Sequence, residues 1–312
     1  LFKAIGSFLH KFWIVLKQAA SDFIDDNGIK LSAALSYYTL FAIGPFLILI
    51  ISLVGIFYGK EAIRGKVYYE LNALVGDKAA EQIQVIIQNI EQSQLSTSGA
   101  IVGFTVLLIG ATGIFTEIQD SMNYILSIKA KPKKGWLKLI INRLISFSLI
   151  VSIGFLMLVT LMLNTLVDVL QDHLNSLFPE LTVLLLQVTN TFMLLAIIII
   201  LFTIIFRVLP DAKIAWRDSF YGALFTTLMF QLGKFCIGLY ISHSKIGITY
   251  GAATSVVLLL IWVYYTSIIL YFGGEFMKVW AIKYGKGIIP NDTAVFIVKQ
   301  ESREIDTNRS VS

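Results

Sequence analysis

Two carboxylates, Glu117 and Glu275, lie inside long apolar runs, each with glycines on its N-terminal side and further polar groups within a turn or two. An ionised carboxylate is costly in an apolar medium, so each must be paired, hydrogen-bonded or put to use. Gly103, Gly110 and Glu117 recur at seven-residue spacing and Gly99 precedes Gly103 by four, which places all four on one helical stripe. Glycines on a stripe admit a neighbouring helix, so Glu117 is expected to face the inside of a bundle. Gln119, Asp120 and Asn123 follow it, and Glu275 comes directly after Gly273 and Gly274 with Tyr264 and Tyr271 on a nearby face. Carboxylates from two helices at similar depth can hold a proton or a cation. They serve equally as ion-pair partners for basic residues such as Arg143 or Arg217, and spacing alone leaves both readings open.

Other polar residues within apolar runs have plainer readings. Lys234 lies about 24 Å by helical rise from the end that carries the carboxylates, so it is expected to snorkel to the opposite headgroups. The first apolar run carries Ser32, Ser36 and Thr39 along one side, then Tyr37, Tyr38 and Gly44-Pro45. Pro45 cannot donate to the carbonyl of Phe41, which predicts a bend and a free acceptor there. Gln187, Thr189, Asn190 and Thr191 suit interhelical hydrogen bonding. No Ser/His/Asp, HExxH, P-loop or dinucleotide fingerprint occurs, and His10, His173 and His243 are far apart beside a single cysteine, Cys236. The expectation is therefore no enzyme, no cofactor and no metal.

The elements that must position these groups are membrane spans. Of 312 residues, 56% are hydrophobic and 14% charged, against about 25% charged in a soluble domain. The mean hydropathy is +0.77, and with only 5 Pro the apolar residues collect in unbroken runs. Six runs reach the roughly 20 residues a crossing requires, at about 31–58, 99–126, 137–164, 181–208, 216–241 and 251–282. The first is far longer than a signal-peptide core and lacks a cleavage pattern, so it is expected to remain as a span. The fold class expected is all-α and polytopic.

Charge gives the orientation. The segment between the second and third spans carries Lys129, Lys131, Lys133, Lys134, Lys138 and Arg143 with no acid, whereas the next loop carries Asp168, Asp172 and Glu180 with no Lys or Arg. Positive loops stay on the cytoplasmic side, which places both termini there. The lysine-rich loop is an expected contact for anionic lipid, and this accounts for the net charge of +5 without nucleic acid. Residues 1–30 form an N-terminal amphipathic segment. In 1–17, Phe2, Ile5, Phe8, Leu9, Phe12, Trp13 and Leu16 recur at helical spacing, fitting a helix in the headgroup layer or one packed on the span ends. The loop 59–98 contains Ile83, Ile86, Ile87 and Ile90 on one face and is read as a small external helical cap. Residues 31–284 form the transmembrane domain and 285–312 a cytoplasmic tail.

The stretches LSAALSYYTLFAIGPFLILI, GATGIFTEIQDSMNYIL, LPDAKIAWRDSFYGALFTTLMFQLGKFCIGLYI and YGAATSVVLLLIWVYYTSIILYFGGEFMKVWA, in this order, resemble the YihY/BrkB family of bacterial inner-membrane proteins over about residues 25–284. The family-like polar set is Tyr37, Pro45, Glu117, Gln119, Asn123, Trp216, Arg217, Asp218, Lys234 and Glu275. The resemblance implies six helices in the cytoplasmic membrane and a connection with virulence, envelope lipid handling and ion transport. An older ribonuclease label finds no support in these residues. The leading expectation is a transporter that moves or binds an envelope lipid or other amphiphile through a cavity between the spans. A proton- or sodium-coupled ion transporter and a non-transporting scaffold are the alternatives. Membrane lipids, a lipid or ion substrate and a second copy of the chain are the partners expected. The candidate site comprises Ser36, Tyr37, Pro45, Glu117, Gln119, Asp120, Asn123, Lys234 and Glu275, with Gly99, Gly103 and Gly110 as packing positions.

Overall fold

A computed structural model of the chain describes residues 2–58, 113–131, 179–243 and 253–298, with isolated positions 81, 84, 148 and 250. The external loop 59–98, the glycines at 99, 103 and 110, the third expected span 137–164 and Lys133, Lys134 and Lys138 lie outside these residues, apart from the isolated positions. The described helices are α1 (Phe2–Asp25), α2 (Gly28–Tyr58), α3 (113–125), α4 (Pro179–Val208), α5 (Trp216–His243) and α6 (Thr254–Lys283). Short strands β1 (Ile128–Ala130), β2 (Ala212–Ile214), β3 (Ile288–Pro290) and β4 (Ala294–Phe296) join them. Among the described residues, three helices are long and apolar enough to cross a membrane, through Thr191–Val208, Trp216–Tyr240 and Val256–Lys283.

Helix α6 is the centre of the described bundle. It runs antiparallel to α5, and the seam is built from small residues that let the two backbones approach closely. Gly222 lies against Met277, Gly273 against Thr226 and Gly233 against Tyr265, so each step forward along α5 meets a step back along α6. Gly274 receives Met122 of α3, whose sulfur would be 2.9 Å from an added Cβ. Phe202 and Phe206 of α4 pack with Phe230 of α5 to fill the space beside the seam. Some hydroxyls along the spans bond within their own helices, as Thr226 to the Gly222 carbonyl at 2.7 Å and Ser267 to that of Val263 at 2.7 Å, whereas those of Ser219 and Thr227 are buried without a partner among the described residues.

The amphipathic N-terminal helix extends beyond 1–17 to Asp25 because Ala19 and Phe23 continue its apolar stripe. Of the two placements open to it, packing on the span ends is the one observed. Val15 and Ala19 are buried among Phe225, Phe276, Val279 and Trp280, with Phe12 5.4 Å from Phe276. Leu9 and Trp13 stay exposed. Asn27 in the left-handed region (φ 55°) closes α1 and turns the chain into α2, where Gly28 abuts the Phe23 ring so closely that no side chain fits. The helix α2 continues through Gly44-Pro45 to Tyr58.

The all-α expectation needs one correction. Residues 288–297 form a strap of extended chain after α6. Strand β3 pairs antiparallel with β2, Lys213 opposite Ile289, and β4 with β1, Lys129 opposite Val295. Backbone bonds from Asn291 to the Asp211 carbonyl (2.9 Å), Lys131 to that of Thr293 (2.7 Å) and Ile297 to that of Ser127 (2.8 Å) extend the pairing. The strap thus fastens the segments that follow α3, α4 and α6 to one another at a single end of the bundle.

Candidate functional site

The candidate polar residues gather mostly at this strapped end, in three adjoining clusters. The first is built around Glu275, which has no exposed surface. Close approach of α5 at Gly273 and of α3 at Gly274 seals the turn of α6 that carries it. One turn later, Lys278 donates to Glu275 Oε2 at 2.9 Å and to Asp26 Oδ2 at 3.3 Å, with Asp22 Oδ2 at 3.7 Å. Asp22 and Asp26 are four residues apart at the end of α1, so they share one face. Three carboxylates therefore converge on one ammonium that is 14% exposed. Glu275 Oε1 is buried without a hydrogen-bond partner among the described residues.

The second cluster joins α3 to α6. Glu117 Oε1 accepts from Ser121 at 3.5 Å, and the wholly buried Tyr271 faces Ser121, Glu117 and Asp120. Tyr271 precedes Glu275 by four residues, so the two clusters occupy successive turns of α6, with Cβ atoms about 5–6 Å apart at that spacing. Glu117 and Glu275 adjoin successive turns of α6, and their hydrogen bonds run to different partners. Glu117 bonds within α3 rather than to Arg217, which is exposed at the start of α5.

The third cluster fixes α3 to the turn after α4. Asn123 Nδ2 donates to Asp211 Oδ2 at 2.9 Å, while its Oδ1 accepts from the Asp211 backbone N–H at 2.8 Å. Gln119 Nε2 approaches Asp211 Oδ1 at 3.5 Å. Gln119 and Asn123 are both buried, and their amides satisfy a carboxylate that begins the β2 turn. Asn123→Ala removes both close bonds at once and should cost about 1–3 kcal/mol, read as a lower denaturation midpoint of the detergent-solubilised protein. An unchanged midpoint would show that the amide pairing contributes nothing.

The remaining candidates stand apart. Ser36 is buried and donates to the Ala33 carbonyl at 2.8 Å, a bond within its own helix. Tyr37 is exposed and rests on Phe41, ring centroids 5.0 Å apart. Pro45 lies within α2. Lys234 is partly buried in α5, about 27 Å of helical rise from Trp216 at the strapped end. Four participants were not singled out by motif: Asp22, Asp26, Asp211 and Lys278. Lys278 was legible as a basic residue three after Glu275, and Asp22 and Asp26 as an acid pair one turn apart on an amphipathic helix. Asp211, by contrast, meets Asn123 across 88 residues of chain, which no local spacing encodes.

Comparison with known proteins places this arrangement in context. The family model described as Virulence factor BrkB matches residues 19–288. A UPF0761 membrane protein of Rhodospirillum centenum is 26% identical over 264 residues, covering 84% of this chain and 56% of its own length. Another from Azotobacter vinelandii is 29% identical over 278 residues, covering 85% and 62% respectively. One from Pseudomonas aeruginosa is 26% identical over 264 residues, with 81% and 59% covered. The chain thus spans a little over half the length of these relatives. No solved structure matches it.

Proposed function

The chain belongs to the BrkB family of membrane proteins, and from that premise we propose that it is a multi-pass transporter of the bacterial cytoplasmic membrane that handles a lipid or other amphiphile. In this reading six spans cross the membrane, both termini and the strapped end lie on the cytoplasmic side, and the Glu275 cluster is the working centre. The observation that carries it is the sealed Glu275, whose second oxygen is unpartnered beside an ammonium shared with two further carboxylates. Ionisable groups within spans are rare and concentrate along substrate and ion pathways. A purely structural ion pair would leave no buried free acceptor.

The convergence of three carboxylates on Lys278 favours a second reading, in which the centre couples proton or sodium movement. One experiment addresses both. The full chain is reconstituted in vesicles, and transfer of a fluorescent phospholipid between leaflets is followed alongside sodium and proton flux. Glu275→Gln and Glu117→Gln keep side-chain shape and hydrogen-bonding capacity while removing charge. Lipid transfer slowed about tenfold, equivalent to about 1.4 kcal/mol on the barrier, is expected in Glu275→Gln. Flux of a cation lost in the same variants, with lipid transfer absent from the wild type, would favour the second reading. Transport of every tested class unchanged in both variants would remove the carboxylates from the mechanism.

A further inference from the structure

Beside the strapped end lies a cavity that none of the clusters above uses. It has a volume of about 750 Å³ and lies where α4 stops, α5 starts and α6 stops, with Lys11 of α1 in its wall. Four cations line it, Lys11, Arg207, Arg217 and Lys286, and among the described residues none has a carboxylate partner. The one acid in the lining, Asp218, is buried and turned to a structural task. Its Oδ2 accepts from the Lys286 backbone N–H at 3.0 Å, and it fills the space beside Gly285.

The aromatic lining holds the cations in place. The Arg207 guanidinium is 5.7 Å from the Trp216 ring centroid, and Lys11 Nζ is 5.3 Å from that of Tyr284. Both distances suit cation–π attraction, which orients a cation without neutralising it. Arg207 Nε is buried and has no hydrogen-bond partner among the described residues. A planar guanidinium with a free N–H, flanked by three more cations, matches a phosphate oxygen set better than any neutral group.

Position selects the source of that phosphate. The three apolar segments end or begin at this level, at Val208, Trp216 and Lys283, so the cavity lies in the headgroup layer. Trp216, Trp280 and Tyr284 are the residue types that concentrate there.

We propose that this cavity binds the phosphate-bearing headgroup of an anionic membrane lipid, with Arg207 and Arg217 as its principal contacts. The proposal supplies the headgroup chemistry of the amphiphile in the transport reading and rests on that reading for its role, though not for the binding itself. It is distinct from Lys129 and Lys131 near β1, which are exposed and do not line it.

The test uses delipidated full-chain protein in detergent and native mass spectrometry. Phosphatidylglycerol, diacylglycerol with the same chains and inorganic phosphate are offered separately and in competition. Wild type should retain one phosphatidylglycerol and prefer it over diacylglycerol by about tenfold or more, and Arg207→Gln with Arg217→Gln should lose that preference. Arg217→Gln alone, at an exposed position, should weaken retention without a folding defect. Lys213→Gln, at an exposed lysine outside the cavity whose partner is Asp292, should leave it intact. Equal retention of diacylglycerol, or undiminished selectivity in the double variant, would overturn the site. Inorganic phosphate that binds alone and displaces the lipid at equal concentration would overturn the lipid as ligand. Selective retention together with unimpaired transport in Glu275→Gln and Glu117→Gln would uphold this site while removing the transport reading built on those carboxylates. Their impaired transport with no selective lipid would do the reverse.

Discussion

Lys278→Met is expected to cost about 3–5 kcal/mol of stability, among the largest effects of any single substitution at the polar end. Methionine retains most of the volume and the apolar stem, so the loss is chiefly electrostatic. Without the ammonium, Glu275 stays in a site with no exposed surface, and Asp26, itself 6% exposed, loses the cation 3.3 Å away. The pair is not intrinsically stabilising to that extent. Much of the cost is the penalty of leaving Glu275 buried without its cation, so Glu275→Leu combined with Lys278→Met should recover that part and leave the part due to Asp26. Denaturation of the detergent-solubilised protein followed by helical circular dichroism measures all three forms. If the single variant melts with wild type, the carboxylates do not depend on Lys278 and the network is not a stabilising unit.

The second large effect concerns the α5–α6 seam, where two glycines of one helix are expected to respond in opposite directions. A Cβ at Gly222 would overlap Met277 Cβ and come within 3.3 Å of its Cα. Neither atom is the far end of a flexible side chain, so the backbones must separate. Gly222→Ala should therefore destabilise by about 1–3 kcal/mol. Gly238, four turns on in the same helix, has nothing within 4 Å of the equivalent position. There, alanine should stabilise α5 by about 0.5–1 kcal/mol through helix propensity alone. Association of helices in lipid depends on close packing rather than on a hydrophobic drive, so the loss at Gly222 should also appear as a reduced yield of monodisperse protein. Equal responses at the two positions would mean that the seam does not set the spacing of the helices.

These expectations depend on features of differing visibility in the sequence. The apolar runs at 181–208, 216–241 and 251–282 agree with α4, α5 and α6 to within about three residues, because an unbroken apolar stretch has few alternatives in a bilayer. The glycine pair before Glu275 lies at a buried turn that Thr226 and Met122 approach. The amphipathic start of α1 was evident, but its end was not. The Ser-Asp-Phe-Ile-Asp-Asp stretch reads as polar linker unless Phe23 is counted with Val15 and Ala19 on the buried stripe. Strands of three residues carry too little periodicity to be recognised, and their formation here is imposed by partners far away in the chain. The same applies to the chemistry. Glu275 and Lys278 are near neighbours, whereas Lys278 and Asp26 are separated by 252 residues and meet only because α1 folds back along α6. Local spacing identifies a costly residue. Only the fold supplies its partners.

The strap formed by residues 288–297 has a consequence for biogenesis. Its strands follow every described span in the chain, while β1, which receives β4, is made roughly 160 residues earlier, about 8 to 32 s at about 5–20 residues per second. Over that interval the edges of β1 and β2 emerge without their mates, and unpaired edges invite pairing with other chains. Membrane insertion of the helices and closure of the strapped end are thus separate events, the second waiting on synthesis of residues 288–297. A nascent chain arrested before residue 288 could have α6 in the bilayer and still present two open edges, the form in which a quality-control protease would distinguish an unfinished molecule from a finished one.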